Sequence, residues 1–205
     1  MSIVSVEKMQ RAKLTELRPT QMTVGMREVL RKCHEWGDTK EEFGDRFIER
    51  HVIPAVLGPK KHLYIIDHHH LARALLEAKA EEVLVVVLAK LDSLDKDQFW
   101  RFLDFRSWVH PYDARGQRCD FDEIPKKIED LQDDPYRSLA GELRRVGGYA
   151  KDEQPYVEFL WADALRARID RKLIAKDYDK ALEAALKFSK SAEADYLPGW
   201  CGPNT

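Results

Sequence analysis

Leu63-Tyr64-Ile65-Ile66-Asp67-His68-His69-His70-Leu71-Ala72-Arg73-Ala74-Leu75-Leu76 runs four residues of strand character into an acid, three imidazoles and a helical pattern. Leu71, Ala74, Leu75 and Ala78 recur on one helical face, so the polar cluster lies where a strand becomes a helix. Asp67 is the expected N-cap of that helix. The first turn of a helix carries unpaired N–H groups and a partial positive charge, which suits a phosphate or another small anion. Imidazoles placed there add donors that change charge near neutral pH.

Outward from this turn the pattern continues on both sides. Val52 to Leu57 predicts a strand, with Pro54 marking it as an edge strand or an imperfect one. Gly58-Pro59-Lys60-Lys61 is a turn, and His62 to Ile66 returns as the hairpin partner. Downstream, the apolar run Val83 to Leu88 predicts a strand covered on both faces. Nearer the N-terminus, Ile3 to Val6 predicts a short strand, and Pro19 turns Arg18-Pro19-Thr20-Gln21 into an extended loop entry. A helix follows from Val24, closed by Gly37. Thr39-Lys40-Glu41-Glu42 then has capping-box spacing for a second helix that buries Phe43, Phe47 and Ile48.

The composition shifts near residue 92 from mixed α/β to all-helical. Phe99, Trp100, Phe102, Leu103 and Phe105 have the composition of core packing, with ligand stacking as the alternative. Ser107 to Phe121 is an expected loop. Helices are expected over Glu123 to Leu131 with Asp122 as cap, Pro135 to Val146 with Asp134 as cap, Pro155 to Arg168, and Tyr178 to Ala192. Leu197 to Thr205 is expected as a loose tail. The expected fold class is α+β (mixed α/β): a small mixed sheet over residues 1–92, with an all-helical extension over residues 93–205 packed on it.

With 205 residues, 34 % charged and 44 % hydrophobic, the composition is that of a globular protein rather than a disordered chain. A net charge of -2 restricts any nucleic-acid surface to a local patch. No apolar run is long enough to span a membrane, and no secretion signal opens the chain. Cys33, Cys119 and Cys201 have neither disulfide nor zinc spacing, so a reducing cytoplasm is the expected location.

Three consecutive histidines fan out at roughly 100° per residue on a helix and cannot all ligate one metal. Asp67, His68 and His69 are the candidate catalytic residues, and no metal ligands are assigned. His70 and Arg73 are candidate phosphate contacts, with Arg18 and Gln21 closing the pocket from the neighbouring strand end. His110 and Arg115, from the loop His110-Pro111-Tyr112-Asp113-Ala114-Arg115-Gly116, are further ligand-binding candidates. Lys126-Lys127 and Arg144-Arg145 have the pattern of solvated faces, with an anion-facing patch as the alternative.

The order strand, Asp67-His68-His69-His70-Leu71-Ala72-Arg73-Ala74-Leu75, helix, apolar strand resembles the ParB/sulfiredoxin superfamily, and within it the ParB-like putative nucleases. In that superfamily this segment carries a phosphate-binding motif, G-E-R-R in partition proteins and G-C-H-R in sulfiredoxins, and positions 67 to 70 match it. A strand ending in a proline-containing segment is also typical, as in Leu17-Arg18-Pro19-Thr20-Gln21. The resemblance covers roughly residues 3 to 92. His68 stands where the reactive cysteine of sulfiredoxins falls, which argues against sulfinic-acid reduction. His69 and His70 replace the two arginines of the partition-protein motif, which argues against CTP hydrolysis and DNA clamping.

The resemblance implies a nucleotide or small phosphorylated ligand as partner. It also implies Mg²⁺ with a nucleoside triphosphate as cofactors for metal-assisted phosphoryl transfer or phosphodiester hydrolysis, with Asp67 as base or metal contact. The competing expectation is a non-catalytic anion- or ligand-binding module.

Overall fold

Residues 8–43 and 51–203 are described by the computed structural model. Its sheet is built around the hairpin. Strand β3 (Ile53–Leu57) pairs antiparallel with β4 (Leu63–Ile65) and parallel with β5 (Glu82–Lys90). Strand β1 (Lys8–Lys13) adds antiparallel on the far side of β5, giving the order β1-β5-β3-β4. The sheet is therefore mixed and the class α+β, as the residue pattern predicts. Pro54 does not make β3 an edge strand: it sits second in a strand paired on both sides, near the end where a missing N–H costs least. The imperfection falls one residue later, where the β3–β5 register shifts between Ala55 and Val56. In β5 one face is closed by Val83, Val85, Val87 and Ala89, while the alternate residues are only half-buried, so the strand is not sealed on both faces.

Strand β2 (Thr23–Val24) leads into helix α1 (Met26–Phe43), which runs straight through Gly37. A Cβ at Gly37 would meet nothing within 4 Å, so the residue lies on an open helix side and the missing side chain only lowers helix propensity. The expected strand Ile3 to Val6, and Phe47 and Ile48 of the expected second helix, lie outside the described residues. Helix α2 (His69–Glu77) begins one residue later than a cap at Asp67 requires. His68, in the left-handed region at φ 62°, is its N-cap, and Asp67 instead accepts from the His68 backbone N–H at 2.6 Å.

Helix α3 (Lys96–Phe105) buries Phe99, Trp100 and Leu103, but leaves Phe105 85 % exposed, so the aromatic segment is only partly core. Beyond it, the helix expected over residues 123 to 131 is two 3₁₀ turns, Phe121–Glu123 and Ile128–Asp130. Pro125 explains the break: it removes a helical donor and drives Ile124 to an extended conformation at ψ 127°. The cap of the first turn is Asp120, with Glu123 completing the box, rather than Asp122.

Contacts group residues up to Val24 with Val29–Gln132 as one unit, and Gly25–Glu28 with residues from Asp133 onward as a second. The division comes after Gln132, further along than the compositional shift near residue 92. The second unit holds α4 (Pro135–Arg145), α5 (Val157–Arg166), the short α6 (Arg171–Lys176) and α7 (Tyr178–Ser189) around Trp161, Leu139, Leu143 and Leu165. Asp134 caps α4 through the Tyr136 N–H, with Pro135 at its first position. The tail is not loose where described: Leu197 is buried, and Trp161 and Trp200 donate to the Pro198 and Ser191 carbonyls. No helix among the described residues is long and apolar enough to cross a membrane.

Candidate functional site

The histidine turn is wired to the segment that enters the fold after Leu17. Arg18 forms a parallel bridge with Tyr64, its N–H donating to the Leu63 carbonyl and its carbonyl accepting from Ile65, both at 2.9 Å. Two residues on, the Thr20 N–H donates to His69 Nε2 at 3.0 Å and the Thr20 hydroxyl to the Ile65 carbonyl at 2.9 Å. With Nε2 accepting a backbone N–H, the proton of the neutral His69 ring sits on Nδ1. His69 is buried, and that burial, with the neighbouring His70, His68 and His110 imidazoles, holds its pKa down to about 3. It is a neutral structural ring at neutral pH.

The other sequence-derived residues divide around this centre. His70 is buried beside His69. Gln21 is buried and bonds the Thr23 carbonyl through Nε2 at 2.6 Å, and its backbone bridges His110, whose N–H donates to Thr20 at 2.8 Å. Thus Gln21, His69, His70 and His110 do come together. Asp67 and His68 are exposed at the rim. Arg73 points away, to the 3₁₀ turn, where Nη1 donates to the carbonyls of Glu129 at 2.6 Å and Leu131 at 3.2 Å while Nε holds Glu77 at 2.8 Å. Arg115 is an exposed side chain folded onto Asp113 of its own loop. Among the described residues, no group of three His, Cys, Asp or Glu side chains could hold a metal ion.

A cavity of about 310 Å³ opens beside the turn rather than on it. Arg18 lines it, together with Lys60, His62, Lys96 and Lys126, over a floor of Tyr64, Phe99, Trp100 and Phe121. Arg18 Nη2 donates to His62 Nε2 at 3.0 Å, and because a guanidinium only donates, His62 is the neutral partner. Burial and then the Arg18 and Lys60 charges lower the His62 pKa accordingly. The aromatic floor is packed in register: Trp100 stacks on Phe121 with centroids 5.7 Å apart, and Tyr64 meets Phe99 at 4.6 Å. Gly58 makes that approach possible, since a Cβ there would lie 2.7 Å from the Tyr64 and Phe99 rings. Lys60 and Lys61 both adopt positive φ in the 3₁₀ turn Pro59–Lys61, a strained conformation for residues with a Cβ.

Arg18 is a ligand candidate from the sequence, and Lys126 belongs to a basic pair for which an anion-facing patch is the alternative to a solvated face; Lys60 falls in an expected turn, and His62 and Lys96 among strand and helix residues. The available signal was a basic residue beside each of three prolines, at Arg18-Pro19, Pro59-Lys60 and Pro125-Lys126. Lys127 does not line the cavity and pairs with Glu129, and Arg144 and Arg145 pair with Glu158 and Glu142 on α5 and α4.

A family model described as "Putative ParB-like nuclease" matches residues 10–167. The chain is also similar to the crystal structure of protein Atu1540 from Agrobacterium tumefaciens, at 48 % identity and a TM-score of 0.91, over 98 % of this chain and 100 % of that one. No curated protein matches.

Proposed function

The chain belongs to the ParB-like putative nuclease family of the ParB/sulfiredoxin superfamily, and from that membership we propose that it binds a nucleotide or other phosphate-bearing ligand in the basic cleft beside the histidine turn. One observation carries this reading: Arg18, Lys60, Lys96 and Lys126 converge from four separate segments on one concavity with an aromatic floor. Fixed cations in a partly enclosed site hold phosphate oxygens by charge-assisted bonds, and aromatic faces accept a base or other ring. Any Mg²⁺ would enter with the ligand's phosphates. The buried His69, His70 and Gln21 shape the wall that carries Arg18 and do not contact the ligand in this reading.

Metal-assisted phosphodiester hydrolysis or phosphoryl transfer is the second reading, favoured by the family description alone, with exposed Asp67 as the carboxylate to test. Metal-dependent DNA cleavage that Asp67→Asn leaves unchanged would remove Asp67 from it.

Calorimetric titration with ATP, CTP and inorganic pyrophosphate, with and without Mg²⁺, tests the binding reading. Arg18→Gln should weaken binding by about 1.5–3 kcal/mol, the range for a hydrogen bond to a charged group. Arg73→Ala should leave affinity unchanged while lowering stability by about 2 kcal/mol, because it frees backbone carbonyls already bonded in the fold. Failure of all three compounds to bind at millimolar concentration, or equal affinity in Arg18→Gln, removes this function.

A further inference from the structure

We propose that Asp122 gates the cleft by holding the Lys96 ammonium as a ligand surrogate, so that an incoming phosphate binds fully only by displacing the Asp122 carboxylate. This rests on the reading of the cleft as a phosphate site and adds its regulation. Among the described residues that line the cavity, Asp122 is the acidic one, set among Arg18, Lys60, Lys96 and Lys126. Its Oδ1 forms a close ion pair with Lys96 Nζ. The backbones carrying both groups are fixed. Lys96 opens α3 behind the Asp95 cap, whose side chain accepts the Gln98 N–H at 2.8 Å. Asp122 lies in a 3₁₀ turn closed by the Asp120–Glu123 capping box and anchored by buried Ile124 and by Phe121 stacked on Trp100.

Only the two side chains need to move. They are 60 % and 71 % exposed, and an exposed pair of this kind holds weakly enough for a more highly charged anion to exchange with it. Lys96 is already within electrostatic reach of the Tyr64 hydroxyl, as Arg18 is, so once released it faces the same space as the other cations. The displaced carboxylate turns to water, where its charge is screened.

The test is titration with inorganic pyrophosphate and with phosphate, using wild type, Asp122→Asn, Asp122→Ser, Lys96→Gln, the double variant Asp122→Asn with Lys96→Gln, and Asp195→Asn. Asp195 is an exposed acid that does not line the cavity, so its variant changes net charge and leaves the lining residues as they are. Both Asp122 variants should bind pyrophosphate about threefold to tenfold tighter, the scale of one exposed like charge removed from an anion site. The gain should be smaller for phosphate, because the repulsion scales with ligand charge. Lys96→Gln should cost more affinity in the Asp122→Asn background than in wild type, which is the coupling a displaced partner produces. Asp195→Asn should match wild type. Wild-type binding with no gain in either Asp122 variant, or an equal gain in Asp195→Asn, overturns the gate and leaves the phosphate site standing. Pyrophosphate binding by none of the proteins overturns both.

Discussion

The His69 imidazole accepts the Thr20 N–H, and burial holds its pKa down to about 3. A free histidine titrates near 6.5, so between the two values the unfolded chain binds a proton that the folded one refuses. The stability this ring contributes is therefore complete above pH 6.5 and is lost as pH falls towards 3, at up to about 1.4 kcal/mol per pH unit. Thermal melts at pH 7.5 and 4.5 should show this acid loss in wild type and a shallower one in His69→Phe, which itself should melt lower because Thr20 N–H loses its acceptor. Equal acid sensitivity in the two proteins would place the proton uptake elsewhere. At this scale the residue types were legible, and so was the link between the 67–70 turn and His110. What the sequence hides is which donors are already spent. Arg73 has the look of a phosphate contact, yet its fork closes on carbonyls 56 and 58 residues away.

Much of the helix and strand order followed the local pattern. The hairpin of β3 and β4, the helix after the histidines and the apolar β5 all stand where periodicity puts them. Two of the misreadings are at punctuation, whereas strand β1 (Lys8–Lys13) and helix α6 (Arg171–Lys176) formed where no element was expected. Pro125 splits an expected helix into 3₁₀ turns because its ring dictates the backbone of Ile124, an effect stronger than the surrounding apolar spacing. Gly37 does the reverse: it is tolerated inside α1, since α1 keeps helical hydrogen bonding across an exposed position. Gly37→Ala should therefore stabilise the protein by about 0.5–1 kcal/mol, raising the melting temperature by about 1–4 °C for a chain of this size. A lower melting temperature would mean that Gly37 serves as a helix end after all.

Across the whole molecule the net charge is only -2, yet among the described residues the cleft gathers Arg18, Lys60, Lys96 and Lys126 against one lining acid, Asp122. The average charge thus gives no support for a broad nucleic-acid surface and says nothing about one concave patch. Anion binding there should be salt-sensitive: raising NaCl from about 50 mM to about 500 mM should weaken pyrophosphate binding by roughly tenfold or more, while the melting temperature moves little. Salt-independent affinity would place the anion away from these cations. The same scale decides where the units divide, because the loop and 3₁₀ turns up to Gln132 gather with the sheet rather than with the helices that follow.

The order of strand, histidine turn, helix and apolar strand was determined by sequence alone, because period-2 and period-3.6 patterns, caps and turn residues act on neighbours in the chain. Family membership followed from that same order. Which cations share a cavity was decided only by tertiary structure. Arg18 reaches it through the bridge to Tyr64, Lys60 through a strained turn, Lys96 from the first turn of α3, and Lys126 from the residue after Pro125. Their meeting depends on strand pairing and helix packing between distant segments, and such pairings leave no mark in the local spacing of residues.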